Sequence, residues 1–434
     1  MGREEVENVD SHSPGQRSSS DADRAQLAID GGRPARTEPL PAAWPGAWVF
    51  GEEEVEAAAE VLRAKSPFRH YGPGVLGKVR AFEKDFARRM GTRYALGVTS
   101  GTAALIVGLA ALEVGPGDEV ILPAFTFLAC PCAVVVHGAV PVIAEVDASL
   151  TLDPEDLERR ISPRTKAIMV VHTLGAAADM DRILEVARRH GIKVLEDCAQ
   201  SCGASYRGRA VGSIGDVGAF SLQLNKIITT GDGGVVVTSD AALYERAVRY
   251  HDLGIVREQF DLEHSLGAFF GNNYRMSELT GAVAGVQLRK LDAILAAMRR
   301  AKRAICEAIA DLPGIELRPV ADPDGEAGCY LTFYAPEASV AERLAAALGA
   351  ENISCARPYG GKALYEAWPE HFENWSRASA ASGQLPQSYK TGLCPATESL
   401  LRRLLMVPIT PVLRDQDVTS IVEGIRKVWR AIVV

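Results

Sequence analysis

Between Tyr94 and Thr238, short apolar runs alternate with stretches whose apolar positions recur at helical spacing. Ala95–Val98, Glu119–Leu122, Val140–Glu145, Ala167–Val171, Lys193–Glu196, Val217–Phe220 and Val235–Thr238 predict strands. Helices are predicted at about Ala103–Leu112 and at Met180–His190, with two more upstream at Glu52–Leu62 and Val79–Met90. Strands this short and apolar fit a sheet covered on both faces, so the expected class is α/β with a largely parallel sheet. Near Ser277 the pattern turns helical through Gln287 to about Leu312, and this stretch leads into a smaller C-terminal α/β domain. The expected organisation is a disordered polar tail over 1–26, a large domain over 27–285 and a small domain over 286–434. Leu27–Gly32 reads as a short ordered lead-in to a Pro-rich segment ending at Pro45.

A chain of 434 residues is too long for one ordinary core, in keeping with two domains. The net charge of −8 offers no basic footprint, so no nucleic-acid partner is expected. The longest apolar runs are too short to span a bilayer, and the N-terminus has no signal-peptide core. The eight cysteines are scattered; Cys130-x-Cys132 has the wrong spacing for zinc and no matching His or Cys pair follows it. They read as buried free thiols in a reducing cytoplasm, and no metal is expected.

The first strand–helix turn is Thr99-Ser100-Gly101-Thr102-Ala103-Ala104, which lacks the glycine fingerprint of a dinucleotide site, and no P-loop occurs. A pyridoxal-phosphate site needs an amine, an anion for the pyridine nitrogen, a phosphate cradle and an apolar or aromatic face for the ring. Lys226 offers the amine, between an apolar strand and the Gly231-Asp232-Gly233-Gly234 turn. Desolvation there would lower its pKa and make it a nucleophile and proton shuttle, whereas a lysine in most loops is simply solvated. Asp197, ending the run Val194-Leu195-Glu196, offers the anion; the competing reading is a cap on the next turn. Gln200 is placed to bond the ring hydroxyl. Ser100-Gly101-Thr102 at a helix start offers the cradle, with Ser221 as a second hydroxyl; an ordinary N-cap would look the same. Of Phe125 and Phe127, Phe127 is taken as the stacking face and the other as core.

Taken together, from about Leu27 to the C-terminus, these segments resemble the DegT/DnrJ/EryC1/StrS sugar aminotransferases of pyridoxal-phosphate fold type I. The resemblance rests on Thr99–Leu105, Pro123–Phe127, Glu196–Gln200, Gly215–Ser221, Lys226 with its glycine turn, and Asn273-Tyr274-Arg275-Met276. It implies that Lys226 binds the cofactor covalently, Asp197 pairs with the pyridine nitrogen and Gln200 meets the ring hydroxyl. Gly101, Thr102 and Ser221 would bind the phosphate. Asn273 would reach the phosphate of a neighbouring subunit, so a homodimer with shared sites is implied. Departures occur at Ala199-Gln200-Ser201-Cys202, where many relatives have Ala-Gln-Ala-His, and at His172-Thr173-Leu174-Gly175. His172 itself reads as a strand-end residue satisfied by backbone contacts. One branch of the family carries histidine in place of Lys226 and removes oxygen; Lys226 argues against it.

The implied activity is transfer of an amino group from glutamate or glutamine to a keto-sugar or keto-cyclitol, through pyridoxamine phosphate, in antibiotic or cell-surface sugar biosynthesis. Gly31-Gly32-x-Pro34 and Phe68-Arg69-His70-Tyr71-Gly72 look closer to the inosose aminotransferases and aminohydroxybenzoate synthases of the family. Arg69, His70 and Tyr71 then become substrate contacts, against the competing reading of a solvated loop. The rivals are a lyase or aromatising synthase on the same cofactor, a regulatory protein that binds the cofactor without turnover, and an NAD-dependent sugar enzyme, which would fit the fold but lacks the glycine fingerprint.

Overall fold

The computed structural model describes residues 26–434, apart from 256, 258, 259, 261, 263–265 and 382–386. The expected tail over 1–26 therefore lies outside the described residues, save for Gln26. The strands of the first part of the chain are β1 (Tyr94–Val98), β2 (Glu119–Pro123), β3 (Val140–Ala144), β4 (Thr165–Val171) and β5 (Lys193–Asp197). They are followed by a two-stranded hairpin, β6 (Ser205–Tyr206) with β7 (Arg209–Ala210), and by β8 (Val217–Ser221) and β9 (Gly234–Thr238). Seven of them form one sheet in the order β1-β9-β8-β5-β4-β2-β3. Only β9 runs against its neighbours, so β1, β2, β3, β4, β5 and β8 all point the same way. β2, β3, β8 and β9 are buried along their whole length, which is why their sequences are apolar runs and not alternating patterns.

Helices α1 (Glu52–Arg63), α2 (Lys78–Met90), α3 (Gly101–Ala111), α4 (Ala129–Val135), α5 (Pro154–Arg160), α6 (Met180–His190) and α7 (Ala241–His251) cover this sheet. The sequence of α3, Gly-Thr-Ala-Ala-Leu-Ile-Val-Gly-Leu-Ala-Ala, is apolar on every side, and the helix is buried almost throughout. A 32-residue helix, α8 (Glu278–Ile309), lies against α1 and α2. Its first residue, Glu278, accepts from the backbone N–H groups of Lys78 (2.7 Å) and Val79 (3.1 Å), so the start of α8 caps the start of α2.

The rest of the chain forms a three-stranded antiparallel sheet of β10 (Glu316–Leu317), β11 (Tyr330–Tyr334) and β12 (Leu404–Pro408). It carries α9 (Ala338–Ala350), α10 (Leu364–Ala367), α11 (Pro369–Ala381), α12 (Pro395–Arg403) and α13 (Asp415–Ile432). The expected border between residues 285 and 286 falls inside α8, which crosses it without a break. The lead-in, read from the sequence as part of the large domain, instead packs on the C-terminal unit. Glu351 accepts from the N–H groups of Ala28 (2.9 Å) and Ala35 (2.7 Å), Arg36 pairs with Asp417 at 3.1 Å, and Lys427 donates to the Arg33 carbonyl at 2.9 Å. From there the chain runs to the large sheet, where the Gly46 N–H donates to the carbonyl of Lys226 at 3.1 Å. Among the described residues no helix is long and apolar enough to cross a membrane.

Candidate active site

The carboxyl ends of β1, β2, β4, β5 and β8 open onto one cavity of about 510 Å³, where ligands of such sheets ordinarily bind. Ser100 follows β1 and caps α3, its Oγ accepting from Ala103 N–H at 3.0 Å. At this helix start the N–H groups of Gly101 and Thr102 have no carbonyl four residues earlier to bond, and with the helix dipole they favour an anion. Gly101 has to be glycine: a Cβ there would lie 2.6 Å from Cβ of Ser221, the last residue of β8. Ser100, Gly101, Thr102 and Ser221 all line the cavity.

Asp197 ends β5 and is buried. Its Oδ1 accepts from Ala199 N–H at 2.9 Å and its Oδ2 from the Cys130 thiol at 3.1 Å. The preceding residue, Glu196, points to the other side of the strand and meets His172 in the core. His172, read as satisfied by backbone contacts, does accept from Ala178 N–H at 3.1 Å, but its Nε2 goes to Glu196. His172, Glu196 and Cys198 have ligand atoms within 4.8 Å of one another, yet the ring is already engaged on both nitrogens. Burial, with the Glu196 charge next, pushes the Cys198 thiol well up.

Lys226 sits in the loop between β8 and β9, flanked by buried Ile227, Ile228 and Thr229. The loop is pinned at its base by Leu222 N–H to Gly233 O at 2.8 Å and Thr230 N–H to Leu222 O at 2.9 Å. Desolvation of the amine by burial at the cavity wall is the largest influence on it and holds its pKa below the ordinary lysine value. The nearby charge of Asp197 opposes this. Gln200 faces the same cavity, and its amide oxygen is fixed by Leu174 N–H at 2.9 Å, which leaves the NH₂ as its free donor. Phe127 stands at the rim, 55% exposed and edge-on to Trp368, while Phe125 is buried against Tyr359.

Lys226, Asp197, Ser100, Gly101, Thr102, Phe127, Gln200 and Ser221 thus share one cavity. Four other residues singled out from the sequence do not line it within one chain. Asn273 is exposed and bridged through its backbone to Asp252. Tyr71 is 69% exposed. Arg69 is buried: Nη2 grips both Glu83 oxygens at 2.8 and 3.0 Å, and Nη1 bonds Gly97 O at 3.2 Å. The His70 side chain is buried 3.4 Å from Asp252, which also binds Arg257 and Arg275.

The sequence reading missed a wall contributed by the C-terminal unit, where Cys329, Tyr330, Tyr359 and Met406 close the cavity opposite the sheet. Tyr359 adopts a left-handed backbone (φ 52°), a conformation that residues other than glycine seldom take. The Cys130–Asp197 contact was missed too. No periodicity or fixed spacing marks these residues; only their nearness in space does.

The family model for DegT/DnrJ/EryC1/StrS aminotransferases matches residues 49–426. The chain belongs to this aminotransferase family. Among family members, it is 34% identical over 435 residues to the L-glutamine:2-deoxy-scyllo-inosose aminotransferase of Streptoalloteichus tenebrarius, covering 93% of this chain and 97% of the relative. It is 36% identical to the UDP-N-acetyl-3-dehydro-alpha-D-glucosamine 3-aminotransferase of Acidithiobacillus ferrooxidans, over 80% of this chain and 88% of the relative. The crystal structure of S. venezuelae DesV with a ketimine intermediate superposes with a TM-score of 0.74 at 32% identity, covering 90% and 98% of the two chains. The fold is the type I fold of such enzymes, as expected from the sequence, and the protein is an aminotransferase. Pyridoxal phosphate is the cofactor expected for the family, and the residues present fit it. The close approach of Gly101 to Ser221 leaves a helix start open to a phosphate, and an amine and a carboxylate face the same cavity.

Proposed function

We propose that the enzyme uses pyridoxal phosphate, held by Lys226 and Asp197, to move an amino group from glutamine or glutamate to a keto-cyclitol or keto-sugar. The observation that carries this is the convergence of Lys226, Asp197 and the start of α3 on one cavity at the carboxyl edge of the sheet. The L-glutamine:inosose relatives support glutamine as donor and a keto-cyclitol as acceptor; the UDP-sugar relative keeps keto-sugars in the set to be tried.

Pyridoxal phosphate, when bound, supplies an electron sink for the carbanion formed next to the transferred nitrogen. The chain's own residues do the rest. Gly101 and Thr102 N–H groups and the Ser221 hydroxyl hold the phosphate. Asp197 holds the proton on the ring nitrogen, and the Gln200 NH₂ donates to the ring hydroxyl. Phe127 covers one face of the ring. Lys226 would hold the cofactor and, once free, would serve as the base and acid that moves a proton between the two carbons flanking the transferred nitrogen; an amine with a lowered pKa is suited to both directions. Asn273 of a second copy completes the phosphate site, in a homodimer. The exposure of Phe270 (98%), two residues before Asn272, and of Leu253 (49%), whose N–H donates to the Asn272 carbonyl, supports an interface there.

The test is transfer of labelled nitrogen from glutamine or glutamate to a panel of keto-cyclitols and keto-sugars. Stoichiometric transfer to a cyclitol or sugar acceptor is expected, with Lys226→Ala losing both the visible absorbance of the bound cofactor and turnover. Release of product without movement of nitrogen would mean a lyase, and wild-type turnover in Lys226→Ala would end the proposal.

A further inference from the structure

Both oxygens of Asp197 are engaged from inside the protein, one of them by a cysteine 67 residues earlier in the chain. Cys130 is fully buried in the first turn of α4, and its sulfur lies 3.1 Å from Asp197 Oδ2 and 2.9 Å from Thr126 Oγ1. Thr126, Cys130 and Asp197 therefore form a continuous chain of polar contacts whose two end residues line the cavity. Buried thiols ordinarily pack as small hydrophobes. This one faces a carboxylate, and burial followed by the Asp197 charge keeps it protonated, so toward Asp197 it acts only as a donor.

We propose that Cys130 is a positioning residue for Asp197, fixing the direction in which the carboxylate faces the cavity. With Ala199 N–H on Oδ1 and the thiol on Oδ2, the carboxylate cannot rotate, and its remaining lone pairs are aimed by the protein and not by the ligand. The thiol also withdraws charge from Oδ2, which tunes how tightly Asp197 holds a proton on a ring nitrogen. This rests on the assignment of Asp197 as the partner of that nitrogen.

The test compares Cys130→Ser, Cys130→Ala and Cys130→Val in the cofactor-loaded enzyme. Serine keeps a donor, alanine removes it, and valine fills the space without one. The readouts are the dissociation constant for pyridoxal phosphate and the pH midpoint of the visible absorbance of the loaded protein, with melting temperature as a control on folding. Serine is expected to match the wild type in both, while alanine and valine weaken cofactor binding about tenfold, the scale of a hydrogen bond to a charged group, and move the midpoint. Equal loss in serine and alanine, or wild-type behaviour in valine, overturns the proposal. Asp197→Asn separates the two assignments. If it leaves affinity and midpoint unchanged, the role of Asp197 itself fails; if it disturbs both while valine at 130 does not, only the role of Cys130 fails.

Discussion

His172 and Glu196 meet at 2.9 Å in the fully buried layer directly behind Asp197. Glu196 also accepts from the N–H groups of Gly212 (2.8 Å), Ile214 (2.7 Å) and Gly215 (2.6 Å), so one carboxylate ties the ends of β4 and β5 to the loop that enters β8. Those three elements place Thr173, Asp197 and Ser221 around the cavity.

Burial alone would raise the pKa of Glu196, but His172 and the backbone donors outweigh it and hold the pKa below the ordinary value. A depressed pKa contributes stability above the unfolded value of about 4.3 that is lost as pH falls through the lower folded value. Glu196→Gln is therefore expected to lower the melting temperature at pH 7. It is also expected to flatten the acid dependence below about pH 4.3 relative to the wild type. Parallel melting curves of the two proteins across that window would remove Glu196 as the source.

Gly101→Ala forces a Cβ to within 2.6 Å of Ser221 Cβ, and the helix start and β8 have to move apart. Overpacking of this kind costs about 1–3 kcal/mol, and here it falls on the cradle. Pyridoxal phosphate is expected to bind roughly tenfold more weakly or worse, with the fold retained by circular dichroism. Unchanged affinity would place the phosphate elsewhere.

Shared sites in a homodimer make a separate prediction. Lys226→Ala and Asn273→Ala are each expected to be inactive, yet refolding them together should restore about a quarter of wild-type activity, because each mixed dimer carries one intact site. Activity that stays at the level of the separate variants would mean that Asn273 serves its own chain or no site.

Arg69 and Glu83 form a buried pair with two contacts at 2.8 and 3.0 Å. Removing one partner leaves a buried charge alone, at a cost of about 3–5 kcal/mol. Arg69→Ala is expected to melt several degrees lower while the folded fraction keeps its KM for the acceptor. A raised KM at unchanged stability would return Arg69 to the list of substrate contacts.

The strands of the large sheet were legible because burial on both faces leaves little choice but an apolar run, and the observed ends differ from expectation by a residue or two. The Ser100–Thr102 turn, Asp197 and Lys226 were legible as candidates because each ends or follows an apolar strand with its own local signature, and all of them line the one cavity. Tyr330, Tyr359 and Met406 were not, because they reach the cavity from turns and strands more than a hundred residues beyond Lys226. In the Phe68-Arg69-His70-Tyr71 segment, arginine next to aromatics looks like a ligand surface, and the sequence carries no mark of its pairing with Glu83, fourteen residues later on α2. The lead-in carried no mark of its anchor, since Glu351 is 323 residues from Ala28.

That anchor bears on how the protein is made. The segment ending at Gly46 restrains the backbone of Lys226, but it is itself moored to Glu351, Asp417 and Lys427, which leave the ribosome hundreds of residues afterwards. A nascent chain that already contains the whole large sheet still lacks the mooring for the segment that steadies its lysine. The mooring of that segment therefore waits on synthesis of the last helix and not on completion of the sheet that bears the site.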